Sequence, residues 1–79
     1  MRVLVVEDDI KMAGLIGRAL RESGHAVDVA SCGEDALWMA PAHTYNAVVL
    51  DVMLPGIDGF ETCARLRRAG VWAPVLMLT

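Results

Sequence analysis

Cysteine is scarce in this chain. Cys32 and Cys63 are too few and too isolated for a disulfide framework, and no Cys-x-x-Cys pair or Cys/His cluster offers a zinc site. Both read as buried or half-buried free thiols. Long apolar runs are missing too: no stretch approaches the ~20 residues that span a bilayer, and Met1-Arg2 leads straight into a strand rather than a signal peptide. The expectation is a cytoplasmic protein with no membrane association. Basic charge is in short supply, and a net charge of −3 with a pI near 5.1 argues against nucleic-acid binding by this segment. Its one basic cluster, Arg65, Arg67 and Arg68, reads as the solvated last turn of a helix, opposing the negative helix end. No glycine-rich loop follows the first apolar run, which argues against a dinucleotide fold. His25 and His43 fall where turns are expected, with no plausible nucleophile near them in the sequence. There is no internal repeat, low-complexity tract or linker.

What is present is apolar. Hydrophobic residues make up 56% of the 79 positions, and the mean hydropathy is +0.46, which excludes disorder. The length allows one small domain, burying little more than ~60% of its unfolded surface. Two apolar runs end in carboxylates: Val3 to Val6 runs into Glu7-Asp8-Asp9, and Ala47 to Leu50 runs into Asp51. Continuous runs rich in β-branched residues suit strands buried on both faces of a parallel sheet. Two such strands pointing the same way bring Glu7, Asp8 and Asp51 to the carboxyl edge, where open α/β sheets bind ligands. Converging carboxylates repel and raise one another's pKa unless a cation lies among them. The pattern therefore points to a hard-metal site with one carboxylate chemically active.

Strand and helix signals alternate along the whole chain. Ile10 to Glu22 places Met12, Leu15, Ile16, Ala19 and Leu20 at helical spacing, with Asp9 as N-cap and Ser23-Gly24 as the stop. Ala26 to Ala30 reads as a short strand near an edge, because Asp28 interrupts it. Ser31 and Glu34 have capping-box spacing and open a helix through Ala36, Leu37 and Ala40, kept short by Pro41. Ala47 to Leu50 is the third strand. Asp58 and Glu61 form a second box-like pair, starting a helix that stops at Gly70. Pro74 to Thr79 reads as a fourth buried strand. The order βαβαβαβ predicts an α/β fold: a parallel sheet, right-handed crossovers and helices on both faces. An apolar strand in last position leaves an unpaired sheet edge, so either a partner chain covers it or the sequence is part of a longer domain.

Between Asp51 and the third helix, Pro55-Gly56 signals a turn and Asp58-Gly59 a cap and helix entry. The chain therefore turns sharply after Asp51 and holds that carboxylate at the sheet edge. Backbone carbonyls beyond it can join the carboxylates around Mg²⁺, which wants six oxygens. A carboxylate beside Mg²⁺ can attack a phosphoryl group. Taken singly, each motif has an ordinary reading. An acidic triplet is a favourable helix N-terminus, Asp51 a turn residue and Thr79 a strand residue. Their joint occurrence in one βαβαβαβ frame is what carries weight. Trp38 and Trp72 have no place in this constellation and read as packing or partly exposed aromatics.

The segments Val5-Val6-Glu7-Asp8-Asp9, Leu50-Asp51-Val52-Met53-Leu54-Pro55-Gly56-Ile57-Asp58-Gly59 and Val75-Leu76-Met77-Leu78-Thr79 resemble the receiver domain of two-component response regulators. The form of the second block is similar to the subfamily whose receivers precede winged-helix DNA-binding domains. The resemblance implies a flavodoxin-like doubly wound sheet with strand order 2-1-3-4, covering residues 1–79 as the amino-terminal part of a receiver. It implies that Asp51 accepts a phosphoryl group from a sensor histidine kinase, and that Asp8 and Asp51 ligate Mg²⁺ directly. Glu7 would act on the metal through water, Met53 would supply a backbone carbonyl, and Thr79 would be the switch hydroxyl. Asp9 would be a helix cap.

The family pattern continues with a fourth helix, a fifth strand bearing an aromatic switch residue, a lysine after that strand, and a fifth helix. These fall outside the 79 residues. One ammonium–carboxylate pair at ~4 Å and an effective dielectric near 20 is worth ~4 kcal/mol before desolvation. Metal binding is expected to survive without the lysine, and efficient phosphorylation is not. On this reading the chain is a receiver that modifies itself, not an enzyme. Two alternatives stay open: a module that oligomerises through its bare fourth strand or binds a kinase, and an aspartyl phosphotransferase or phosphatase. The last usually has a second Asp two residues after the nucleophile, where this chain has Met53.

Overall fold

A computed structural model describes all 79 residues. The elements follow the predicted order: β1 (Arg2–Val6), α1 (Ile10–Glu22), β2 (Ala26–Ala30), α2 (Gly33–Ala42), β3 (Ala47–Asp51), α3 (Gly59–Arg68) and β4 (Val75–Leu78). The four strands form one parallel sheet in the order β2-β1-β3-β4, with Val6 beside both Ala30 and Leu50 and Asp51 beside Leu78. This is the flavodoxin-like order that the resemblance implied.

Alternation along the central strands divides the core between the two sheet faces. Leu4, Val6, Val48 and Leu50 point toward α2 and α3, where they pack with Ala36, Ala40, Leu54 and Leu66. Val3 and Val5 point the other way, against Val27, Ile16 and Leu20 under α1. The α1 side is the thinner one, and on it Leu76 of β4 is 63% exposed. The fourth strand is therefore not buried as expected. It pairs with β3 alone, lies at the sheet edge and is at most half-covered. Edge strand β2 fits its interruption by Asp28.

Most end signals act as read. Asp9 caps α1 by accepting from the Met12 N–H at 3.1 Å, and Asp58 caps α3 by accepting from the Glu61 N–H at 2.8 Å. Gly24 and Gly70, with φ of 91° and 83°, take the left-handed turns after α1 and α3. The Ser31–Glu34 capping box does not form. The N-cap of α2 is Cys32, which makes no side-chain capping bond, and the Ser31 hydroxyl is instead 3.4 Å from Asp35. The helix starts one residue later than that spacing implied, with Gly33, packed closely against Thr62 and Ile57, as its first residue. It also runs on through Pro41 to Ala42. The basic cluster is not merely solvated. Arg67 donates to the carbonyls of Val71 and Ala73, with the Trp72 ring against its guanidinium, while Arg65 and Arg68 share the Glu61 carboxylate.

Candidate functional site

The parallel register delivers the ends of β1 and β3 to one edge. Glu7, Asp8 and Asp51 each place a carboxylate oxygen within 4.8 Å of the others. Glu7 is buried at 8% exposure, Asp51 is half-buried and Asp8 is exposed. The backbone around them is fastened. The Glu7 N–H donates to the Ala30 carbonyl at 3.0 Å, and the Asp9 N–H approaches the Glu7 carboxylate at 3.4 Å. Asp51 closes β3 as its last residue, one beyond the predicted end, and its Oδ1 accepts from the Met53 N–H at 3.0 Å. The following turn is drawn in by Leu54, which is buried, and by the Gly59 N–H bonding the Val52 carbonyl at 2.9 Å.

Gly59 is required here by close approach. A Cβ at that position would collide with the Asp51 carbonyl oxygen and lie 2.8 Å from the Val52 Cα. The first turn of α3 thus presses directly on the backbone that carries the half-buried carboxylate.

Electrostatically the cluster is uncompensated. Burial pushes the Glu7 carboxyl from 4.5 up to about 7, the neighbouring Asp51 carboxylate adds to the rise, and the Asp9 N–H opposes it. A buried carboxyl that holds its proton near neutrality marks a place where negative charge lacks a counter-ion. The donors are all oxygens, which suits a hard divalent cation rather than a soft metal. The residues present therefore fit such an ion: Asp8 and Asp51 are accessible to ligate it, and buried Glu7 lies behind them.

The other expected residues are only partly gathered. Met53 follows Asp51 with its side chain 77% exposed and its N–H bonded to Asp51. Thr79 lies just past the Asp51–Leu78 pair on the same edge, but it is exposed and makes no side-chain hydrogen bond to Asp51. Sequence reading missed the scaffold behind the ligands, notably Gly33, Thr62 and the Ala30 carbonyl. Only the Gly33 position carried any signal, as a glycine placed at a helix start.

Comparison with known proteins agrees with this fold. The family model described as the response regulator receiver domain matches residues 3–79. The transcriptional regulatory protein TcrA of Mycobacterium tuberculosis is 62% identical over the whole chain, which covers 31% of that protein. The alkaline phosphatase synthesis transcriptional regulatory protein PhoP of Bacillus subtilis is 44% identical over 99% of the chain and 32% of its own length. The chain thus spans about a third of the length of these curated relatives. Among solved structures, the response regulator TrrA of Thermotoga maritima, in complex with Mg²⁺-BeF, superposes with a TM-score of 0.92 at 36% identity. That match covers 99% of this chain and 68% of TrrA. The chemotaxis protein CheY4 of Vibrio cholerae superposes with a TM-score of 0.88 at 29% identity, over 96% of this chain and 65% of its own.

Proposed function

The chain belongs to the response regulator receiver domain family, and from that premise we propose that Asp51 is a phosphoryl acceptor served by Mg²⁺ and a sensor histidine kinase. The observation that carries the proposal is the convergence of Glu7, Asp8 and Asp51 within 4.8 Å at the carboxyl edge of a parallel sheet. Mg²⁺ held by Asp8, Asp51 and the Met53 carbonyl, with Glu7 acting through water, would offset the carboxylate charge and stabilise the transferring phosphoryl oxygens. The Asp51 carboxylate oxygen that does not accept from the Met53 N–H is the free nucleophile. It attacks phosphorus as the bond to the donor imidazole nitrogen breaks, and the imidazole leaves with its electron pair. The Met53 N–H fixes the rotamer of the attacking group, so orientation is set before the donor arrives. Thr79, on the same edge, would reach a phosphoryl oxygen once the group is transferred.

Several finer statements belong to this reading. The chain modifies itself rather than turning over substrate. It works in the cytoplasm, in keeping with the absence of any helix long and apolar enough to cross a membrane. In a longer protein of the relatives' kind, phosphorylation would regulate transcription through a DNA-binding portion, since the relatives are named transcriptional regulatory proteins.

The test is intact-mass analysis after incubation with Mg²⁺ and acetyl phosphate. An acid-labile adduct present in the wild type and absent in Asp51→Asn supports the acceptor. The absence of an adduct, with Mg²⁺ still bound, favours the interaction module instead. One observation speaks for that second reading: β4 pairs on one side only and exposes Leu76 at 63%. Self-association through this strand predicts sedimentation that depends on concentration, and a monomer at all concentrations would sink it.

A further inference from the structure

Three turns meet at the carboxyl edge of the sheet, and only two of them bear ligands. The β2–α2 turn contributes no carboxylate to the cluster, yet it is fastened to both ligand-bearing loops. On one side, the Glu7 N–H donates to the Ala30 carbonyl at 3.0 Å. On the other, Gly33 is seated in the loop that follows Asp51. A Cβ on Gly33 would collide with Oγ1 of Thr62 and lie 2.7 and 2.9 Å from Cγ1 and Cδ1 of Ile57.

These neighbours have little room to yield. Thr62 is fully buried, and its Oγ1 donates to the Asp58 carbonyl at 2.7 Å. Rotating that hydroxyl away removes one of the two bonds to the Asp58 carbonyl and leaves only the Thr62 N–H at 2.9 Å. Ile57 belongs to the same turn and is half-buried. The residue after Asp58 is Gly59, which presses on the Asp51 backbone. The Glu34 carboxylate adds a second point of contact, since a Cβ on Gly56 would lie 2.9 Å from its Oε2. Contact therefore runs without a gap from Gly33 through Thr62 and Asp58 to the backbone of Asp51.

We infer that Gly33 is a positioning residue for the Asp51 site. Its missing side chain sets how closely the β2–α2 turn seats against the loop carrying Asp51 and Met53, and so how the two ligand-bearing loops are spaced. The inference rests on the reading of that site proposed above. Mg²⁺ demands near-octahedral oxygens at short distances, so a loop displaced by the width of a methyl group holds it poorly.

The test is a Mg²⁺ titration of the 79-residue chain followed by backbone amide NMR. Gly33→Ala should bind Mg²⁺ about tenfold more weakly, the lower end for changes outside the ligand shell. The Met53 and Gly59 amide resonances should shift before any metal is added. Removing the Thr62 hydroxyl and methyl relieves the tightest of the clashes while those with Ile57 remain, so adding Gly33→Ala to Thr62→Ala should cost less affinity than adding it to the wild type. A folded Gly33→Ala with wild-type affinity and unmoved loop amides overturns the inference, as does a double variant in which the two losses simply add. If Gly33→Ala does not fold, Thr62→Val carries the test, because it keeps the volume and removes the hydroxyl donor, leaving the Asp58 carbonyl only the Thr62 N–H at 2.9 Å. It should weaken Mg²⁺ binding and move the same amides, and wild-type behaviour again overturns the inference. A wild type that binds no Mg²⁺, or an Asp51→Asn that binds it equally well, refutes the underlying site and this inference with it.

Discussion

Asp51→Asn should change stability in opposite directions with and without metal. The substitution removes one charge from the cluster and almost no volume. Two carboxylates at 4.8 Å repel by ~3.5 kcal/mol at an effective dielectric near 20. That is an upper figure, because Asp8 is exposed and Asp51 half-buried. The rise of Glu7 from 4.5 to about 7, caused first by burial and then by Asp51, shows the same repulsion in direction. Solvent screening at a half-buried site open to water reduces the repulsion that the substitution relieves to about 1 kcal/mol. Without metal, Asp51→Asn should therefore be more stable than the wild type by ~1 kcal/mol. In a domain of this size that is a rise of ~4–8 °C in melting temperature.

Glu7 fixes the pH window. Its folded pKa is raised above 4.5, so its contribution favours the fold at low pH and is lost as pH rises through about 7. The gain in Asp51→Asn should be fullest above that value and shrink on acidification, as Glu7 takes up its proton. With Mg²⁺ at ~100 times its Kd, the wild type should gain ~2.7 kcal/mol and the variant much less, reversing their order. Thermal unfolding by circular dichroism, in EDTA and in Mg²⁺, reads all of this. The reasoning is refuted if the variant melts at or below the wild type in EDTA, or if Mg²⁺ raises both equally.

Other perturbations separate site from scaffold. Gly59→Ala puts a methyl group against the Asp51 carbonyl; it should cost ~1–3 kcal/mol and abolish the acid-labile adduct, with urea melts and intact mass as the readouts. Leu66→Ala empties a fully buried position beneath α3 and should cost ~2–5 kcal/mol, enough to unfold much of so small a domain on a denaturant curve. Tyr45→Phe removes a 2.6 Å bond to Asp28 and should cost ~1 kcal/mol without changing Mg²⁺ affinity. The pH profile of that cost follows from the pair. Asp28 lies below its usual range, held there first by the Tyr45 hydroxyl and then by Arg2, so its share is present above pH 3.8 and fades in stronger acid. Tyr45, pushed up to about 12 by burial and Asp28, keeps its share up to pH 10 and loses it beyond.

The site was easier to read from the sequence than its supports, for a physical reason. A strand that ends in a carboxylate states its own direction and edge, so Glu7, Asp8 and Asp51 followed from two apolar runs once the sheet was parallel. Asp9 and Asp58 act on the backbone three residues ahead, and local spacing is enough to find such caps. Ser31 failed the same test. Its spacing to Glu34 was correct, but α2 is capped at Cys32 and Ser31 faces Asp35, while Gly33 meets Thr62 and Ile57 across the interface, contacts that no local pattern records. Arg67 failed likewise: its two acceptors, the carbonyls of Val71 and Ala73, belong to a loop whose path depends on β4. Thr79 shares the edge with Asp51, but register alone does not supply a contact between them.

The same sheet treats two of its acidic side chains in opposite ways, and this contrast identifies the site more firmly than the count of carboxylates. Asp28, which reaches toward the amino end of the sheet, meets Arg2 at 2.8 Å and the Tyr45 hydroxyl, and its pKa falls. Glu7, at the carboxyl end, is the more buried and meets only other carboxylates and one long N–H contact, and its pKa rises. Arg21 lines the same groove as Glu7 and Asp8, but its guanidinium is committed to the Val27 carbonyl at 3.0 Å. A fold that only needed to be stable would treat both acids as it treats Asp28, because an unpaired buried charge costs more than a paired one. The acidic cluster at the carboxyl edge is thus left without a counter-ion from the fold itself, which supports the proposal of a hard cation there.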